Sequence, residues 1–305
     1  MAIRIERGRR QTPARTVIYG TEGIGKSTLA SEFPAPVVLD TEEGTHHLEV
    51  ACVAISSWED LRQAVAEIGS GKPGEFRTVV IDSADWAERL LVEHVCGEAR
   101  KKSIEDFGYG KGWVVVAEQF GRFLAQCDAL VGLGFHVVFV AHSKVQRTSP
   151  PDITDGYDRY ELKLSKQVAP LLKEWCDALL FCNYDTTTTQ GTDGRTKALG
   201  GKRRVIHTER AAAWDAKNRY GLPEKVPMAI ESLAPLFAEP AKRPGWRDRV
   251  AQAASVADLG RIGDEADQAV SAGRLSAEQR EQLDALIAAR HDEIESAAAG
   301  EEVRT

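Results

Sequence analysis

The chain has no apolar run that approaches the length of a membrane span, and its first residues, Met1-Ala2-Ile3-Arg4-Ile5-Glu6-Arg7, lack the apolar core of a signal peptide. Cysteine is scarce and scattered: Cys52, Cys96, Cys127, Cys176 and Cys182 form no C-x-x-C pair. An odd count at such spacing argues against a disulfide framework and against zinc, and reads as reduced thiols in a cytosolic protein with no membrane partner. There is no internal repeat. Nor does one sign of charge dominate throughout. The net charge is −7, but residues 246–305 carry 13 acidic and 7 basic groups, which leaves the preceding 245 residues at −1. That balance excludes a wholly basic, histone-like protein without excluding local basic loops on nucleic acid. At 305 residues, with 43% hydrophobic and 28% charged content, the chain suits a soluble globular protein with one large domain and a small appendage, or two domains.

What is present is a phosphate-binding loop. Gly20-Thr21-Glu22-Gly23-Ile24-Gly25-Lys26-Ser27-Thr28 fits G-x-x-x-x-G-K-[ST], between the apolar run Thr16-Val17-Ile18-Tyr19 and the helix-compatible Leu29-Ala30-Ser31-Glu32-Phe33. Glycines open backbone conformations closed to other residues and let N–H groups crowd a polyphosphate, while the helix opening at Lys26 adds its positive dipole end. Lys26 is expected to reach the β- and γ-phosphates and Ser27 to offer its hydroxyl to Mg²⁺. The pattern predicts a site for ATP with Mg²⁺.

Downstream, Pro36-Val37-Val38-Leu39-Asp40 and Thr78-Val79-Val80-Ile81-Asp82 read as buried strands with acidic ends, and Phe135 to His142 and Ala178 to Phe181 as two more. Helical spacing runs over 58–68, 85–102, 114–131 and 165–175, with a Gly- and aromatic-rich loop, Phe107 to Trp113, between the second and third. Continuous apolar strands alternating with helices predict an α/β fold, a doubly wound, mostly parallel sheet. Residues 183–207 turn Thr-rich, Gly-rich and basic, with Arg203 to Thr208 as the return strand of a hairpin. Four prolines (Pro223, Pro227, Pro240, Pro244) punctuate the exit. The tail is helical in pattern, one helix carrying Leu259, Ile262, Ala266 and Val270, the next opened by a Ser276-Ala277-Glu278-Gln279 capping box. The expected organisation is a core over 1–237, a linker over 238–245, a helical C-terminal domain over 246–296 and a disordered tail over 297–305.

Asp82, at a strand end beyond a phosphate loop, is where a Walker-B carboxylate holds Mg²⁺. Glu42, in Asp40-Thr41-Glu42-Glu43-Gly44, could orient the attacking water, or could belong to a solvated acidic turn. Here the residues carry a resemblance. Val38 to Glu42 resembles the segment of RecA-like recombinases with the catalytic glutamate, Val79 to Ser83 their Walker B, and Phe139-Val140-Ala141-His142 the strand ending in a γ-phosphate sensor, with His142 where Gln is usual. Ala216-Lys217-Asn218-Arg219-Tyr220-Gly221-Leu222-Pro223 is similar to the late segment that projects basic residues into a neighbouring subunit's ATP site. The order of these motifs, together with Phe107-Gly108-Tyr109-Gly110-Lys111-Gly112, is similar to phage-encoded, core-only RecA-like ATPases of the Sak type, over about residues 12 to 230.

The resemblance implies a RecA-like P-loop NTPase core, catalytic roles for Lys26, Glu42, His142, Lys217 and Arg219, and Mg²⁺ held by Ser27 and Asp82. It implies ATP hydrolysis that depends on DNA and on assembly, and single-strand annealing in recombination. Its partners would be single-stranded DNA, further copies of the chain in a ring or filament, and a single-stranded-DNA-binding protein, in a host cell's cytoplasm. DNA-facing loops in such cores follow the Walker-B and sensor strands. They correspond to Lys101, Lys102, Tyr109 and Lys111, then to Lys144 and Arg147; the hairpin adds Arg203 and Arg204. Another class of function stays open: an ATP-driven regulatory or assembly switch that acts on proteins, with no direct DNA role.

Overall fold

The computed structural model describes residues 12–70, 75–149, 156–190, 196–237, 246–271 and 276–302. The chain divides into two compact units, Met1–Ala238 and Glu239–Thr305.

The first unit is built on one large sheet. Its strands are β1 (Arg15–Gly20), β2 (Pro36–Asp40), β3 (Ala51–Ala54), β4 (Thr78–Asp82), β5 (His136–Thr148), β6 (Tyr157–Leu162), β7 (Ala178–Gln190), β8 (Thr196–His207), β9 (Lys217–Asn218) and β10 (Lys225–Pro227). The order across the sheet is β10-β8-β7-β1-β5-β4-β2-β3, with β6 paired to β5 and β9 to β7. From β3 to β7 every neighbour is parallel; β8 and β10 extend the sheet antiparallel beyond β7. The fold is thus α/β with a mostly parallel sheet, in which β5, carrying His142, separates the phosphate-loop strand β1 from β4, which ends at Asp82.

Both faces are covered, and the strand residues show why their runs are continuously apolar. Alternate side chains go to opposite faces. Val17, Tyr19, Leu39, Ile81, Phe139 and Phe181 join a core with Trp58, Leu61, Leu91, Phe120 and Phe123. These last come from α2 (Trp58–Ser70), α3 (Ala84–Glu98) and α4 (Lys111–Gly132), with α5 (Val168–Trp175) alongside. Ile18, Val38, Val80, Val140 and Leu180 face the other way, onto Leu29 and Ala30 of α1 (Lys26–Ser31), Phe33, and a 3₁₀ turn carrying Leu233 and Leu236.

Several boundaries differ from the sequence reading. Helix α3 stops at Glu98, where Arg100 turns left-handed (φ 51) and Lys101 N–H bonds back to the Cys96 carbonyl at 2.8 Å. This frees Arg100 to Lys102 from the helix that the spacing had extended through them. Helix α4 begins at Lys111, three residues earlier than expected, because Gly112 packs flat on Ile104, where a Cβ would come within 2.7 Å. Strand β5 runs six residues past His142 and pairs antiparallel with β6, where a loop was expected.

The second unit holds α6 (Trp246–Ala251), α7 (Val256–Ser271) and α8 (Ala277–Glu302), around a small core of Val250, Leu259, Ile262, Ala266 and Leu283. The capping box forms: Ser276 N–H donates to Gln279 Oε1 at 2.9 Å, and Gln279 N–H to Ser276 Oγ at 3.1 Å. Helix α8 continues to Glu302, so residues 297–302, expected to be disordered, are helical; 303–305 and the expected linker, 238–245, lie outside the described residues. Among the described residues no helix is long and apolar enough to cross a membrane.

A candidate nucleotide-binding site

Strand register brings the site together. Gly20 lies opposite His142, Asp82 opposite Asp40, and Val140 opposite Asp82, so β1, β4 and β2 end beside the His142 stretch of β5. Ligands of open α/β sheets bind beyond such carboxyl ends. A cavity of about 330 Å³ lies there, lined by Gly23, Gly25, Lys26, Ser27, Thr28, Asp40, Glu42, Gly44, His47, Asp82, Val140, His142 and Arg204.

The phosphate loop owes its path to two kinds of glycine. At Gly20 a Cβ would lie 2.1 Å from the Cys182 carbonyl oxygen, so a side chain would push β1 off β7. Gly23 (φ 70) and Gly25 (φ 100) are left-handed. Lys26 is only 5% exposed. Its ammonium donates to the carbonyls of Gly20 (3.2 Å) and Thr21 (2.9 Å), and burial lowers its pKa. A triphosphate would replace those carbonyls as the ammonium's partner.

Asp82 is 6% exposed, and burial pushes its carboxyl up to about 6 even though the Ser27 hydroxyl donates to it. A buried carboxylate displaced in that direction is short of positive charge. Asp82 and Ser27 are hard oxygen donors placed together, a donor set that fits Mg²⁺.

Asp40 has another task. Burial pushes its carboxyl up, but hydrogen bonds from Thr45, Glu42 and Gly44 outweigh this and hold it below the usual range. The N–H groups of Glu42 (3.1 Å), Gly44 (3.3 Å) and Thr45 (3.0 Å) and the Thr45 hydroxyl all donate to it. Asp40 thereby folds the turn that carries Glu42 into the cavity. Glu42 Oε1 is shielded from solvent and has no hydrogen-bond partner.

His142 stands 3.7 Å from that oxygen through Nδ1. The same Nδ1 bonds Asp85 Oδ2 at 2.9 Å, and the His142 backbone N–H donates to Asp85 Oδ1 at 3.0 Å. The Asp85 hydrogen bond raises the His142 pKa above its ordinary value. Ligand-type atoms of Glu42, Asp85 and His142 lie within 4.8 Å of one another, but the Asp85–His142 hydrogen bond already engages two of the three. The sequence reading missed Asp85; its one local signal is the position three residues past Asp82, at the start of α3.

The remaining candidates divide. Lys217 and Arg219 lie away from this chain's own loop: β9 pairs with β7 at Ala178 and Leu179, beside the start of β1, whereas the loop begins at Gly20, opposite Cys182. Lys217 donates to the carbonyls of Lys173, Glu174 and Cys176, closing the end of α5, and Arg219 pairs with Asp177 at 2.7 Å. Tyr109 is fully exposed (103%), with Lys102 and Lys111 exposed near it in sequence. Lys101 donates to the Asp106 carbonyl at 2.9 Å and Lys144 to that of Leu164 at 2.7 Å. Arg147, Arg203 and Arg204 are all exposed, and Arg204, expected among the DNA contacts, also lines the cavity.

A family model described as an AAA domain matches residues 12–220, spanning the loop, Glu42, Asp82, Asp85, His142 and Arg219. The chain belongs to this AAA-domain family. None of the curated proteins matches it. Among solved structures, the AAA-domain protein is similar to one titled "Crystal structure of the RadB recombinase", at 15% identity and a TM-score of 0.35, over 65% of this chain and 82% of that one. It is a P-loop ATPase by family.

Proposed function

We propose that this AAA-domain protein binds ATP with Mg²⁺, hydrolyses it, and couples the cycle to single-stranded DNA, promoting annealing in homologous recombination as a phage-encoded protein of the Sak type in the host cytoplasm. The observation that carries the hydrolytic half is the convergence on one cavity of Lys26, Ser27, Asp82 and a Glu42 whose Oε1 accepts no hydrogen bond. Mg²⁺, held by Ser27 and Asp82, would offset charge on the phosphate oxygens and fix the β- and γ-phosphates in place. The loop N–H groups and Lys26 bind the phosphate chain. The Glu42 carboxylate accepts the proton of the attacking water, and His142, held by Asp85 and 3.7 Å from the shielded Oε1, fixes the orientation of that carboxylate.

The DNA half rests on the order of motifs and on Tyr109, an exposed ring among lysines, the mixture that stacks bases and neutralises phosphates. Anisotropy of a labelled unstructured oligonucleotide, titrated with protein at several salt concentrations with and without ATP, tests it. Binding that weakens linearly with log salt and responds to ATP is expected; no binding at low salt rejects it. One observation favours the switch acting on protein partners: Lys101, Lys144 and Arg204 are engaged within the protein, and the second unit is acidic. ATP-dependent protein capture without oligonucleotide binding would select that reading.

A further inference from the structure

Arg204 sits on β8, opposite Tyr184 of β7. Alternation along a strand sends Arg203 to the other face, so the two arginines of the basic run part company. The Arg204 guanidinium turns onto the phosphate loop, where Nη1 donates to the Ile24 carbonyl at 3.1 Å. It fits because residue 25 is glycine: a Cβ there would lie 2.6 Å from Nη1. The Arg204 carbonyl accepts the Met228 N–H at 3.1 Å, which ties the backbone at this point to the segment after β10. Among the described residues no carboxylate pairs with the guanidinium, so an ordinary structural ion pair does not account for it. The wall of the cavity therefore holds an exposed cation, tied by one hydrogen bond and with its other donors open to solvent, facing a loop built for anions.

We propose that Arg204 is a further catalytic residue of this site, acting in cis on the triphosphate. The proposal rests on the ATPase reading given above. One dication and Lys26 leave a triphosphate net negative, and the planar guanidinium presents several donors at fixed angles to phosphate oxygens. During hydrolysis the water oxygen bonds to the γ-phosphorus, and the bond from that phosphorus to the β–γ bridging oxygen breaks. The electron pair stays on ADP, and the water proton passes to Glu42. Arg204 gives up the Ile24 carbonyl and donates to the oxygen on which this charge grows. Strand β8 would then shift its contact with the nucleotide as ATP becomes ADP.

The test is steady-state hydrolysis and nucleotide binding by the full chain. Arg204→Ala should lower kcat by about 10³-fold, with ADP affinity changed less than about threefold and the melting temperature close to wild type. Arg204→Lys keeps the charge without the fork and should recover little. Lys225→Ala, on the neighbouring strand, should hydrolyse ATP as the wild type does. Mixing Lys26→Ala with Arg204→Ala subunits should restore nothing, since each chain then lacks one part of its own site. Wild-type turnover in Arg204→Ala, or recovery on mixing, overturns the proposal. Should Arg204→Ala misfold, full kcat in the folded Arg204→Lys variant overturns it equally. If the wild type itself fails to hydrolyse ATP, the ATPase reading falls, a result distinct from either.

Discussion

At the residue scale, the site is a set of carboxylates made different by their surroundings. Asp40 is saturated with donors, Asp82 is desolvated beside one hydroxyl, and Glu42 has an idle oxygen. A base must reach water, and the Glu42 side chain, 24% exposed and unsaturated by donors, is the one of the three that can serve. Glu42→Gln keeps shape and hydrogen bonding but accepts no proton. Its kcat should fall by about 10² to 10⁴-fold with ATP affinity retained, as read by hydrolysis and by binding of a fluorescent ATP analogue. Unchanged turnover would move the base elsewhere. Asp85 acts one step back. It raises the His142 pKa, so the stability from this pair is full below about 6.5 and is lost as pH rises through the higher folded value. Asp85→Asn should lower the His142 pKa in an NMR titration and cost about 1–3 kcal/mol near pH 6, with a smaller deficit at pH 9. A deficit that grows with pH would refute the pairing.

At the element scale, the loop between α3 and α4 shows how backbone places a side chain in water. Gly108 (φ 70), Tyr109 (φ 50) and Gly110 (φ 69) are left-handed in succession, and Lys111 N–H closes the turn on the Gly108 carbonyl at 3.1 Å. Tyr109 gains nothing from packing there, so Tyr109→Ala should leave the melting temperature unchanged. If the ring stacks a base, the same variant should weaken oligonucleotide binding by about 1–3 kcal/mol with little change in salt slope. Lys111→Ala should instead reduce the slope by about one phosphate contact. Equal binding by wild type and Tyr109→Ala would remove this loop from the interface. The same contrast explains what was legible in the sequence. The phosphate loop, β1, β2 and β4 are contiguous signals: a local motif and apolar runs. Strand β6, Tyr157-Asp158-Arg159-Tyr160-Glu161-Leu162, has no such run because its ladder with β5 is partly solvated, and β3 is an edge strand with all four residues exposed. Asp85 and His142 meet across 57 residues, and Arg204 parts from Arg203 through strand alternation. Both relations live in strand register, which single-sequence patterns leave open.

At the scale of the whole molecule, the question is what each chain lacks. The two units have separate cores, so a fragment ending at residue 237 should melt cooperatively and bind ATP as the full chain does; an unfolded fragment would make the second unit part of the ATPase. Within the first unit, Lys217 and Arg219 differ in what they can lend to a neighbour. Lys217 holds three carbonyls at the end of α5, and releasing it would leave them unpaired. Arg219 is freer: its side chain is 57% exposed, and Asp177 keeps Arg15, bonded through both carboxylate oxygens, if Arg219 swings away. Arg219 lies beside the start of β7, away from its own loop, so a triphosphate that it served would belong to another copy of the chain. If the protein assembles as proposed, mixing Lys26→Ala with Arg219→Ala subunits should recover turnover at junctions where an intact loop faces an intact Arg219, and wild-type specific activity should rise with protein concentration and with single-stranded DNA. The same mixture made with Arg204→Ala should stay dead, which separates the cation a chain supplies to itself from the one it receives. A concentration-independent ATPase that recovers nothing on mixing would leave Arg219 a structural partner of Asp177 and Arg204 the arginine on which hydrolysis depends.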